Sequence, residues 1–112
     1  MSKSESSTKV AKYLLETGAV KFNPDNPFIW ASGLASPIYC DNRVLLSYPE
    51  IRASIIDEFV TKIRTDYPNV EAVAGVATAG IAHGALIADK MNLPFAYVRP
   101  EPKKHGMKNQ IE

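Results

Sequence analysis

The 112-residue chain has a single cysteine, Cys40, so no disulfide framework can form within it, and this scarcity fits a reducing cytoplasm. Charge of one sign is missing too. Thirteen Lys and Arg stand against 12 Asp and Glu, and a formal net charge of +1 argues against a general nucleic-acid binder, which needs a broad basic surface. No apolar run approaches the roughly twenty residues of a membrane span, and the polar start MSKSESSTK lacks the apolar core of a signal peptide. There is no internal repeat, low-complexity tract or long linker. The chain reads as soluble and cytoplasmic, with 46% hydrophobic residues to build a core.

What is present is an α/β pattern. Val70 to Val76 and Phe95 to Val98 are short apolar runs that predict buried strands, and Ile81 to Met91 between them places apolar side chains at helical spacing. This is a strand-helix-strand unit, the crossover that a parallel sheet requires. Upstream, Val10 to Thr17 predicts a helix stopped by Gly18, and Ala19 to Phe22 a short strand. Phe28 to Trp30 and Ile38 to Cys40 predict strands flanking a bend at Ser32-Gly33, with Trp30 in the core. Pro49 suits the first turn of a long helix whose stripe of Ile51, Ile55, Ile56, Phe59, Val60 and Ile63 ends near Tyr67-Pro68. The break near Arg43 to Ser47 divides a small N-terminal cap, residues 1–44, from an α/β core, residues 45–112.

Ligands of parallel sheets sit beyond the carboxyl ends of the strands, and two loops lie there. Ala77-Thr78-Ala79-Gly80 is built of small residues that let backbone amides approach an anion where the next helix begins. The second loop, from Arg99 to Glu112, carries Arg99, Lys103, Lys104, His105 and Lys108. Pro100 and Pro102 keep these side chains off a common helical face, and Gly106 permits a bend. A mobile basic arm on a rigid strand suits closure over a phosphorylated substrate, so the pair of loops reads as a polyanion site. His83 beside the first loop reads as a packing or capping residue, and Lys104 and Lys108 as solvated charges.

Four segments together resemble the orotate phosphoribosyltransferase family: Phe28 to Arg43 (FIWASGLASPIYCDNR), Leu46 to Glu50 (LSYPE), Gly75 to Ala82 (GVATAGIA) and Arg99 to Gly106 (RPEPKKHG). The resemblance implies a type I phosphoribosyltransferase-like parallel sheet flanked by helices, with the N-terminal α+β cap before it. It implies transfer of ribose 5-phosphate from phosphoribosyl pyrophosphate (PRPP) to orotate, giving orotidine 5'-phosphate and pyrophosphate in pyrimidine synthesis. Mg²⁺ would be bound mainly through the pyrophosphate of PRPP. The basic arm, a flexible catalytic loop in the family, would act across the interface of a homodimer. Lys103 would stabilise the departing pyrophosphate, and His105 would bind the same group or pass a proton. Arg99, Thr78, Ala79 and Gly80 would complete the pyrophosphate contacts, and Tyr39 and Cys40 would face orotate.

The chain departs from the family pattern in two respects. The PRPP motif of two acidic residues followed by a Thr/Ser-Gly loop would come after the arm, and the sequence reaches Glu112 before it. The expectation is the first half of a longer protein, with this stretch inactive alone. Lysines carried by some members are also replaced by Ala31, Ala79 and Pro100, which shifts the pyrophosphate onto backbone amides, Arg99, Lys103 and His105. Two alternatives stand beside this reading: a non-catalytic PRPP-sensing regulator, and a purine-type phosphoribosyltransferase, against which Ser36-Pro-Ile-Tyr-Cys-Asp-Asn42 speaks.

Overall fold

The computed structural model describes residues 3–102, 104, 106 and 109–112. The chain divides into two compact units, Met1–Arg52 and Ala53–Glu112.

The first unit opens with helix α1, Lys3–Thr17. It starts well before Val10 because Ser4 to Thr8 contain no glycine or proline to stop a helix, and Glu5 in the first turn complements its dipole. Gly18, at φ 77°, supplies the left-handed residue that ends it. Strand β1, Val20–Phe22, follows, then β2, Phe28–Ile29, β3, Ala35–Ser36, and β4, Ile38–Cys40. The expected pairing of Phe28–Trp30 with Ile38–Cys40 is replaced by two separate ribbons. β2 pairs with β3 across the Gly33 turn, with Phe28 opposite Ser36, and β4 pairs antiparallel with β1, with Lys21 opposite Tyr39. Pro37 explains the division, because it lacks the N–H that a continuous strand needs. Trp30 is not in the core: it is 44% exposed, and its indole N–H donates to the Ile38 carbonyl at 3.0 Å. A 3-10 helix, Asn42–Ser47, closes the unit, packs against α1 and buries Leu45.

Helix α2, Pro49–Asp66, leads into the second unit. Strand β5, Val73–Val76, helix α3, Ile81–Met91, and strand β6, Phe95–Val98, then form the expected strand-helix-strand unit, with β5 and β6 parallel and Val73 opposite Phe95. β5 begins three residues later than its apolar run suggests. Its partner strand sets that start, since the Val73 amide donates to the Pro94 carbonyl at 3.0 Å and Phe95 opens β6. Ile56 and Val60 of α2 and Ile87 of α3 are buried together, with Ile63, Val73, Leu86 and Met91 packed around them. α3 ends on Asn92, left-handed at φ 56°.

α3 lies unusually close to β5, and glycine is the reason. A Cβ on Gly75 would stand 2.5 Å from the Gly80 carbonyl oxygen, and one on Gly84 would stand 2.8 Å from the Phe95 ring and 3.2 Å from the Gly75 Cα. The small residues therefore serve packing first, and that packing draws the start of α3 onto the end of β5. Among the described residues, no helix is long and apolar enough to cross a membrane.

Candidate functional site

β5 and β6 deliver their following loops to the same edge. The Ala77 amide donates to the Val98 carbonyl at 2.8 Å, which joins the roots of the two loops beyond the carboxyl ends of the strands. In the first loop the Gly80 amide donates to the Val76 carbonyl at 2.8 Å and the Ile81 amide to the Thr78 carbonyl at 3.2 Å. The amides of Thr78 and Ala79 find no partner among the described residues, and both residues are exposed. Gly80 contributes instead by lacking a side chain: a Cβ there would stand 2.9 Å from the Val76 carbonyl oxygen. The Ala77–Thr78 peptide bond is cis.

Arg99 follows β6 directly and is half-buried. Its Nε is covered by protein without an acceptor among the described residues. Backbone amides and a partly desolvated guanidinium on loops that leave one sheet edge are a donor set suited to phosphate oxygens, since both present N–H groups and positive potential to an anion. Such donors do not suit a bare metal ion. Among the described residues no cluster of three or more His, Cys, Asp or Glu is placed to hold one. Lys103 and His105, the residues on which the sequence places the chemistry, lie outside the described residues, while the neighbouring Lys104 is exposed.

Tyr39 and Cys40 belong to the first unit. Both are exposed on β4. The Tyr39 ring lies 5.8 Å from that of Phe28, centroid to centroid, and the Cys40 thiol donates to Asn42 Oδ1 at 3.4 Å. Just beyond them, Asp41 accepts from the Arg43 backbone amide and receives its guanidinium at 2.9 and 3.0 Å. The Arg43 hydrogen bonds hold the Asp41 carboxyl below its ordinary pKa, and Asp41 in turn raises that of Arg43.

Two features near the loops were not legible in the sequence. His83 Nε2 is covered and has no partner among the described residues, and nothing in its spacing marks that. Gln110 to Glu112 return along β6, with Ile111 bridging Val98, although one apolar residue gives no strand signal. A shallow cavity of about 270 Å³, lined by Arg64, Tyr67, Pro68, Val70, Met91 and Leu93, lies at the opposite, amino end of β5 and β6.

No family model matches the chain. An orotate phosphoribosyltransferase from Streptococcus gordonii is 62% identical over 104 residues, covering 93% of this chain and 50% of its own length. The crystal structure of orotate phosphoribosyltransferase from Aeropyrum pernix superimposes with a TM-score of 0.73 at 35% identity, over 92% of this chain and 56% of that one. An adenine phosphoribosyl transferase from Trypanosoma brucei, at 22% identity and a TM-score of 0.62 over 95% of this chain and 42% of its own, shares the fold. The fold is thus that of the type I phosphoribosyltransferases. The chain spans about half the length of the curated relatives it matches.

Proposed function

We propose that this chain, which corresponds to the N-terminal part of the orotate phosphoribosyltransferase family, serves the transfer of ribose 5-phosphate from PRPP to orotate, releasing pyrophosphate. The observation that carries the reading is that Thr78 and Ala79, whose amides have no partner among the described residues, and Arg99 leave one sheet edge, tied by the Ala77–Val98 hydrogen bond. The family resemblance supplies the identity of the substrates.

Departure of pyrophosphate leaves positive charge on the ribose and builds negative charge on the leaving group, so donors fixed in advance at the diphosphate lower the barrier. Thr78 and Ala79 would offer backbone N–H groups there, with Gly80 admitting the close approach. Arg99 would add its planar fork of donors, Lys103 would neutralise the leaving group, and His105 would bind it or pass a proton. Tyr39 and Cys40 would face the planar base. Mg²⁺ would be bound mainly through the pyrophosphate of PRPP and offset its charge. Residues 1–44 would form the N-terminal cap segment and residues 45–112 the first half of the α/β core, in a cytoplasmic homodimer whose basic arm works across the interface.

The test is orotate consumption, followed by its ultraviolet absorbance with PRPP and Mg²⁺, in the protein isolated from its source at its natural length. Loss of orotate with equimolar pyrophosphate is the expected result. PRPP binding without turnover would replace the reading with a sensing role, and use of adenine or hypoxanthine in place of orotate would replace it with purine salvage.

A further inference from the structure

The strand that leaves the site at Val98 is met by the chain returning from the basic arm. The Arg99 amide donates to the Gln110 carbonyl at 2.7 Å, the Glu112 amide to the Tyr97 carbonyl at 2.8 Å, and the Tyr97 amide to the Glu112 carbonyl. These backbone bonds make a short antiparallel ladder around the Val98–Ile111 bridge. Backbone bonds alone do not choose a register, because a slipped ladder makes the same kinds of bond. Two side-chain bonds do choose one. The Tyr97 hydroxyl donates to Glu112 Oε2 at 2.7 Å, and the Gln110 side-chain amide donates to the Arg99 carbonyl at 3.2 Å. Each is satisfied only when residue 112 lies opposite residue 97 and residue 110 opposite residue 99.

We propose that Tyr97, Gln110 and Glu112 are positioning residues that lock the register of this ladder and thereby fix the backbone from which Arg99 meets the pyrophosphate. The inference rests on the reading of Arg99 as a pyrophosphate ligand. Two roles are then separate: Arg99 would contact the anion, and the bracket holds Arg99's backbone N–H and C=O. A register slip of two residues would keep the ladder's backbone bonding while breaking both side-chain bonds. Arg99 would then stand on a backbone free to shift beside the fixed Thr78–Ala79 amides. Tyr97 is half-buried, so its bond to the Glu112 carboxylate is shielded in part from competing water.

The test uses the protein at its natural length, with Tyr97→Phe, Glu112→Ala, Glu112→Gln and the Tyr97→Phe/Glu112→Ala double variant. Tyr97→Phe is expected to raise the KM for PRPP about tenfold, the worth of one hydrogen bond to a charged group, while the KM for orotate stays within about twofold. Glu112→Ala should match it, the double variant should be no worse than either single one, and Glu112→Gln, which keeps an acceptor, should recover most of the loss. Equal losses toward PRPP and orotate, or additive effects in the double variant, would overturn the bracket as a positioning device. Hydrogen exchange at the Arg99 amide supplies a readout independent of turnover. If the wild-type protein consumes no orotate, the functional reading fails and exchange alone decides the bracket: exchange about tenfold faster in Tyr97→Phe upholds it, and unchanged exchange rejects it.

Discussion

The amide of Ala77 and the carbonyl of Val98, 2.8 Å apart, continue the β5–β6 ladder one step past the end of β5. That bond sits at the base of two loops, so Thr78 and Ala79 on one and Arg99 on the other leave the same edge of the sheet. In the candidate site the first loop would therefore offer backbone amides, and Arg99 a side chain.

Lys103 gives the sharpest test of the chemistry. In the natural-length protein, Lys103→Ala should lower kcat about a hundredfold to a thousandfold, the usual loss when one donor to a developing anion is removed. Steady-state orotate assays measure it, and a rate within about threefold of wild type would take Lys103 out of the mechanism.

The glycine contact between β5 and α3 separates two substitutions that look alike. Gly75→Ala sets its methyl 2.5 Å from the Gly80 backbone oxygen, which cannot swing away, whereas Gly84→Ala meets first the Phe95 ring at 2.8 Å. Both should destabilise, by about 1–3 kcal/mol for an overpacked contact, with Gly75→Ala the worse. Urea unfolding ranks them. Gly75→Ala should also weaken PRPP binding if Gly80 belongs to the pyrophosphate loop, as proposed above.

In the α2–α3 core, Ile56 is 5% exposed and Phe59 is 46% exposed. Ile56→Ala should cost about 2–5 kcal/mol, a large share of the roughly 5–15 kcal/mol that holds a typical domain. Phe59→Ala should cost less, despite removing the bigger side chain, since much of that surface already meets solvent. Thermal melts of both variants decide the order.

Asp41 carries a pH-dependent contribution whose sign follows from its lowered pKa. The Arg43 side-chain hydrogen bond is the largest cause, followed by the Arg43 backbone N–H. A carboxyl held below its unfolded value stabilises the fold above about pH 3.9, and that contribution disappears as pH falls through the lowered folded value. Carboxyl NMR titration should therefore show Asp41 protonating below the ordinary carboxylate range. Arg43→Ala should bring it back up, and added salt should narrow the difference, as both side chains are solvent-accessible.

The strand-helix-strand unit was legible to the residue in places. α3 and β6 occupy Ile81–Met91 and Phe95–Val98 as their apolar spacing predicts, because Gly80 and Pro94 punctuate them and local pattern agrees with tertiary burial. β5 was overextended, since an apolar run such as Val70 to Val76 says nothing of where its partner begins. Trp30 was misplaced for a related reason: its size argues for burial, but Gly33 and Pro37 put it on a two-residue ribbon with little to pack against. In the site, the shared edge of Thr78–Gly80 and Arg99 followed from parallel topology. The Tyr97–Glu112 bond did not, because the two residues stand fifteen positions apart and the lone Ile111 beside Glu112 leaves no periodic trace.

Trp30 is the chain's single tryptophan, and it belongs to the unit spanning Met1–Arg52. Its fluorescence is therefore a local voice: a melt followed at tryptophan emission reports the ribbon around Ile38 and is deaf to the glycine-packed half that carries Arg99. Far-ultraviolet circular dichroism, which sums α1 with α2 and α3, supplies a second channel that includes both units. Coincident curves would show the two units unfolding as one cooperative body, and curves that part would show them unfolding separately, with the tryptophan midpoint belonging to the first unit.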